Sequence, residues 1–105
     1  MDWGPSPFYV EINPEGSLVL RGELDVNTVD QLEEMIAKVV RPGRPVVFDM
    51  AQLSFIDSTG VMCLVRTYRT AEEPVIVCNP SSQVRRVLEI LDARVKPGAW
   101  VIQVD

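Results

Sequence analysis

The sequence predicts an α/β domain built on a mixed, mostly parallel sheet of about five strands, with an N-terminal hairpin and about three to four helices. Three observations carry this. Short apolar runs alternate with stretches of helical period, in the order strand, strand, helix, strand, helix, strand, helix, strand. Val46-Val47-Phe48 and Val75 to Cys78 are continuously apolar, as strands buried on both faces are. Asn13-Pro14-Glu15-Gly16 is a turn signal between two strand-like runs, so the sheet opens with an antiparallel pair. The later strands are then joined by right-handed crossovers. The single domain is expected to take in residues 1–105, with its core over 8–104.

Each element has its own warrant. Phe8, Val10 and Ile12 alternate with Tyr9 and Glu11, the pattern of a half-exposed strand. Leu18 to Leu20 forms the second strand, and Gly22-Glu23-Leu24-Asp25 leaves it. The first helix is predicted from Thr28 to Val40. Val29, Leu32, Met35, Ile36, Val39 and Val40 share one face, while Asp30, Glu33, Glu34 and Lys38 share the other. Thr28 with Gln31 fits a capping box, and Pro42-Gly43 stops the helix. After Val46 to Phe48, an apolar strand end at Leu53-Ser54-Phe55-Ile56 meets Asp57-Ser58-Thr59-Gly60. A second helix follows to Ala71, with Val61, Met62, Leu64, Val65 and Tyr68 at helical spacing. Asn79 as N-cap and Pro80 as the first helical residue start the third helix, whose stripe is Val84, Val87, Leu88 and Leu91. Pro97-Gly98 turns the chain into a last strand, Trp100 to Val104.

Bulk properties narrow the function. A chain of 105 residues is one domain's worth, burying roughly two-thirds of its unfolded surface. The net charge of −5, from 10 basic and 15 acidic residues, argues against direct contact with nucleic acid. Arg41 with Arg44 and Arg85 with Arg86 are pairs rather than patches. The longest apolar run, Val61 to Val65, falls far short of the roughly 18 residues that span a bilayer, so no membrane role is expected. Met1-Asp2-Trp3-Gly4-Pro5 has neither the basic nor the apolar region of a secretory signal, and the expected location is cytoplasmic. Cys63 and Cys78 read as small buried hydrophobes. With no histidine, a Ser-His-Asp or Cys-His nucleophile and the usual Cys/His zinc site cannot be assembled. The six glycines are too scattered for a phosphate loop. No catalytic residue, metal or cofactor is expected.

Two polar loops remain, Gly22 to Asn27 and Asp57 to Gly60, each after a strand and before a helix. If their strands are parallel neighbours, both loops emerge at one sheet edge, where α/β folds usually place their functional surface. Asp25 and Asp57 then flank Ser58. A serine at a helix N-terminus meets unpaired N–H groups and a dipole that favours negative charge. The residues leave each role open. Ser58 is an ordinary cap or a hydroxyl that carries phosphate. Asp25 pairs locally or faces Ser58, and Asp57 caps the second helix or joins a binding surface. Gly60 gives the backbone room at a tight turn.

Gly22-Glu23-Leu24-Asp25, followed by Leu53-Ser54-Phe55-Ile56-Asp57-Ser58-Thr59-Gly60, resembles the STAS domain family. Within it the likeness is to bacterial anti-sigma factor antagonists, and it extends over nearly the whole chain. The resemblance implies that Ser58, with Thr59 as the alternative acceptor, is phosphorylated by an anti-sigma factor of the serine kinase type. It also implies a partner-binding surface of Asp25, Val26, Asn27, Asp57, Thr59, Gly60 and Met62. Unmodified, the protein would bind the kinase and free a sigma factor, regulating transcription indirectly. A phosphatase would reset it, and the domain would be a monomer or weak dimer. The alternative is a constitutive STAS subunit of a transporter ATPase or a stress-signalling assembly. Many relatives continue into a C-terminal helix beyond the position of Asp105, which implies a sheet face or edge less covered here. Leu91-Asp92-Ala93-Arg94 also stands where a glycine often follows the third helix, but neither departure touches Ser58.

Overall fold

A hairpin opens the sheet in the computed structural model, which describes residues 8–105; the reading of Met1 to Pro5 lies outside them. Strands β1 (Phe8–Ile12) and β2 (Leu18–Leu24) pair antiparallel. The Asn13 carboxamide oxygen holds their turn, accepting from the Glu15 and Ser17 N–H groups at 3.1 and 2.9 Å. Helix α1 (Val29–Val39), β3 (Val47–Ile56), α2 (Ser58–Ala71), β4 (Val75–Cys78), α3 (Ser82–Val95) and β5 (Trp100–Gln103) follow. The sheet order is β1-β2-β3-β4-β5, with every pair after the first parallel. The predicted order of elements is thus the observed one, with five strands and three helices.

Because the strands join in chain order, successive right-handed crossovers step the same way and leave their helices on the same face. One core fills the space between the two layers. Leu20, Phe48, Met50 and Val77 from the sheet meet Leu32, Leu64 and Leu88 from the helices, all fully buried. The opposite face is solvated: Val47, Ile76 and Cys78 are half-buried, and Tyr9, Gln52 and Val101 are exposed. This corrects the reading of β3 and β4 as strands covered on both sides. It also moves Cys78 out of the core, while Cys63 stays fully buried.

The site is carried by an unusually long β3. Val47 and Phe48, and Leu53–Ile56, read separately in the sequence, belong to one ten-residue strand, which Val46 precedes. Against β2 it carries two register shifts, one extra residue between Asp49 and Gln52 and another between Leu53 and Phe55. The Asp49 carboxylate accepts from the Ala51 N–H at 3.0 Å in the first. In the second, Ser54 Oγ donates to the Gly22 carbonyl at 2.9 Å. The buried residues Phe48, Met50, Leu53 and Ile56 are therefore spaced by two, three and three, which hides the strand from a period-two reading. Gly22 takes φ +99° beside the second bulge, and β2 continues through it to Leu24 rather than ending near Leu20.

Two helix starts also differ from expectation. The capping box at α1 does not form. Thr28 Oγ1 instead donates to the Glu23 carbonyl at 2.8 Å and accepts from the Asp25 N–H at 3.0 Å, while Gln31 reaches the Phe8 carbonyl at 3.1 Å. Both side chains are taken by the neighbouring strands. At α3 the cap is Ser81, accepting from the Val84 N–H at 3.2 Å, rather than Asn79. Asn79 turns to φ +53° and accepts from the Asp105 N–H at 2.9 Å, joining the ends of β4 and β5. Among the described residues no helix is long and apolar enough to cross a membrane.

Burial pushes the Cys63 thiol from the usual 9.0 up to about 12, with the Glu33 carboxylate adding to the rise. Its neutral form therefore contributes stability that is fully present below about pH 9 and is lost as pH rises toward 12. Urea midpoints of wild type and Cys63→Val should keep a constant separation up to pH 9, and wild type should then lose ground. In the folded protein at pH 8, Ellman's reagent should titrate Cys78 and leave Cys63 unreacted.

Candidate functional site

Leu24 and Ile56 lie in register at the ends of β2 and β3, and the Asp57 N–H donates to the Leu24 carbonyl at 3.3 Å. The two polar loops consequently leave the sheet side by side. In the first, the Asp25 carboxylate accepts from the Asn27 N–H at 2.9 Å, and the Asp25 carbonyl receives the Thr28 and Val29 N–H groups at 3.1 and 2.9 Å. Asp25 is half-buried and locally engaged, while Val26 and Asn27 are exposed. Buried Thr28, bonded to Glu23 and Asp25, locks this turn.

In the second loop Asp57 is the cap of α2, in extended backbone, its carboxylate accepting from the Gly60 N–H at 3.2 Å. Ser58 is then the first helical residue and is exposed. The ordinary-cap reading of Ser58 fails because Asp57 fills that position. Among the described residues no hydrogen bond engages the Ser58 hydroxyl. The first-turn N–H groups of Ser58 and Thr59 have no intrahelical acceptor, so positive potential collects beside an exposed hydroxyl. Thr59 and Met62 are half-buried.

Gly60 owes its place to a close approach. A Cβ there would lie 2.8 Å from Ile56 Cγ1 and 2.9 Å from Leu24 Cγ, so α2 rests directly on the ends of β2 and β3. This deepens the expectation that Gly60 gives the backbone room. One residue at this edge was missed in the sequence: Phe55, opposite Glu23 on the solvated face and 45% exposed. The available signal was the spacing of Leu53 and Ile56, which forces one of the intervening residues outward once both are buried.

The edge is acidic. Among the described residues none of Glu23, Asp25 and Asp57 enters an ion pair, and Arg21 is already held by Glu11 at 3.0 Å and by Gln52 at 2.9 Å. No group of His, Cys, Asp and Glu side chains among the described residues is arranged to hold a metal ion. The groove between α1 and α2, lined by Ile36, Ala37 and Thr67 under the Glu33–Arg66 ion pair at 2.8 Å, includes none of the loop residues. What remains is an exposed polar edge with a serine hydroxyl at the start of α2.

Comparison with known proteins bears on that edge. A family model described as STAS domain matches residues 10–98. The anti-sigma F factor antagonist of Lysinibacillus sphaericus is 28% identical over 102 residues, covering 90% of this chain and 84% of that protein. The anti-sigma-B factor antagonist of Staphylococcus aureus (strain NCTC 8325 / PS 47) is 32% identical over 73 residues, 66% of this chain and 68% of that protein. Among solved structures, the anti-sigma factor antagonist SpoIIAA in its unphosphorylated form aligns with a TM-score of 0.64 at 27% identity, covering 94% of this chain and 88% of that one.

Proposed function

Because the chain belongs to the STAS domain family, we propose that it is an anti-sigma factor antagonist whose switch is Ser58. With Ser58 unmodified, the edge formed by Asp25, Val26, Asn27, Asp57, Thr59 and Met62 docks onto an anti-sigma factor of the serine kinase type; Gly60, expected in that surface, is buried against Leu24 and Ile56 and seats the edge instead. Docking frees a sigma factor, and transcription changes without this chain touching DNA. The kinase transfers phosphate to the Ser58 hydroxyl, and a phosphatase removes it. The domain, residues 1–105, is the substrate of that transfer and acts in the cytoplasm as a monomer or weak dimer.

The observation that supports this reading is the exposed Ser58 hydroxyl at the first position of α2, beside the Asp25 loop. The relatives strengthen it: two are antagonists of anti-sigma factors, and a third is described by its phosphorylation state. The direct test incubates the purified protein with ATP and candidate anti-sigma factor kinases from its own genome. Mass spectrometry should find one phosphate on Ser58, and Ser58→Ala should remain unmodified while keeping partner binding. Full modification of Ser58→Ala would overturn the assignment. Co-purification with a transporter ATPase and no anti-sigma factor would point to a constitutive docking subunit instead.

A further inference from the structure

The second bulge of β3 decides where one aromatic side chain goes. Strict alternation from buried Leu53 would send Phe55 into the core and Ile56 to solvent. The extra residue reverses this, so that Ile56 is buried and Phe55 stands on the open face opposite Glu23. Ser54 secures the arrangement through its 2.9 Å hydrogen bond to the Gly22 carbonyl. A lone exposed apolar residue is ordinary on a protein surface. A second exposed apolar residue leaves the same end of the sheet: Val26, 68% exposed, lies two residues beyond Leu24, the register partner of Ile56. Phe55 is the register partner of Glu23 and stands two residues before Asp57, and Val26 follows Asp25; among the described residues none of these three carboxylates is ion-paired.

We infer that Phe55 and Val26 are the apolar anchors through which the Ser58 edge docks. The occupant they fit is a protein surface with an apolar pocket rimmed by lysine or arginine side chains. The inference rests on the reading of this edge as the anti-sigma factor surface and states what that factor must present. An aromatic filling a pocket on the partner is the usual energetic centre of an interface, and surrounding opposite charges speed and orient encounter.

The test titrates the full-length protein with the anti-sigma factor kinase that phosphorylates it. Phe55→Ala should raise Kd by about 10- to 100-fold. It should raise KM for phosphorylation more than it lowers kcat, and leave the urea midpoint unchanged. Phe55→Leu should restore most of the affinity. Wild-type affinity in Phe55→Ala, or a loss matched by lost stability, would overturn the inference while the functional reading stands. If no such kinase binds the wild-type chain, the functional reading fails and this inference fails with it.

Discussion

Replacing Leu24 by alanine should destabilise the domain by about 2–5 kcal/mol, the range for emptying a fully buried leucine site. Leu24 is completely shielded from solvent at the end of β2 and supports the first turn of α2 through Gly60. Gly60→Ala should cost about 1–3 kcal/mol for the opposite reason, overpacking. Its new methyl would press on Ile56 Cγ1 and Leu24 Cγ, chain carbons near the backbone that have little freedom to swing aside. The double variant separates these effects. With Leu24 shortened the contact with Leu24 is gone and only that with Ile56 remains, so the pair should lose less than the sum of the single losses, by about 0.5–3 kcal/mol. Urea unfolding with an unchanged slope checks all three variants. Strict additivity would show that Leu24 plays no part in the cost of the added methyl.

Ser58→Asp should reduce affinity for the anti-sigma factor by about a hundredfold while leaving the free domain as stable as wild type. A carboxylate at the first position of α2 lies where the helix dipole favours it, by about 0.3–1 kcal/mol. In the docked pair the same charge loses solvent and lies beside the carboxylates of Asp25 and Asp57, whose cationic partners on the bound surface are already engaged. One like-charge contact at about 5 Å, in an effective dielectric near 20, opposes binding by on the order of 3 kcal/mol. A phosphate brings about −1.5 to −2 charges and should act more strongly. Ser58→Asn, uncharged and of similar size to the aspartate, is the control and should bind close to wild type. Isothermal titration of the three proteins decides the matter: equal affinity for Ser58→Asp and wild type would remove electrostatics from the switch.

Much of this fold is legible in the sequence because helical and turn signals are local. The alternation of Phe8, Val10 and Ile12, the stripe beginning Val29, Leu32 and Ile36, and the Asn13 to Gly16 turn each require only a few neighbouring residues. The position of Ser58 beside the Asp25 loop was legible too, since parallel pairing of β2 with β3 suffices to bring the loops together. What stayed hidden depends on partners distant in sequence. The bulges of β3 exist only against β2, so no local period reveals that Phe48 to Ile56 is one strand. Thr28 and Asn79 look like caps, but tertiary partners at Glu23 and Asp105 claim their side chains. The bare sheet face follows from strand order, which composition cannot report.

The seat of α2 on Leu24 and Ile56 also bears on timing. With no Cβ at Gly60 to hold the helix off, its first turn sits in van der Waals contact with the sheet and has little room to slide or unwind. A change of charge at Ser58 would then be read at the surface, without waiting for a microsecond-to-second rearrangement of packed elements. Under the proposed function, the tempo of the response is set by kinase and phosphatase turnover and by how fast the partner leaves, and the domain itself adds no delay.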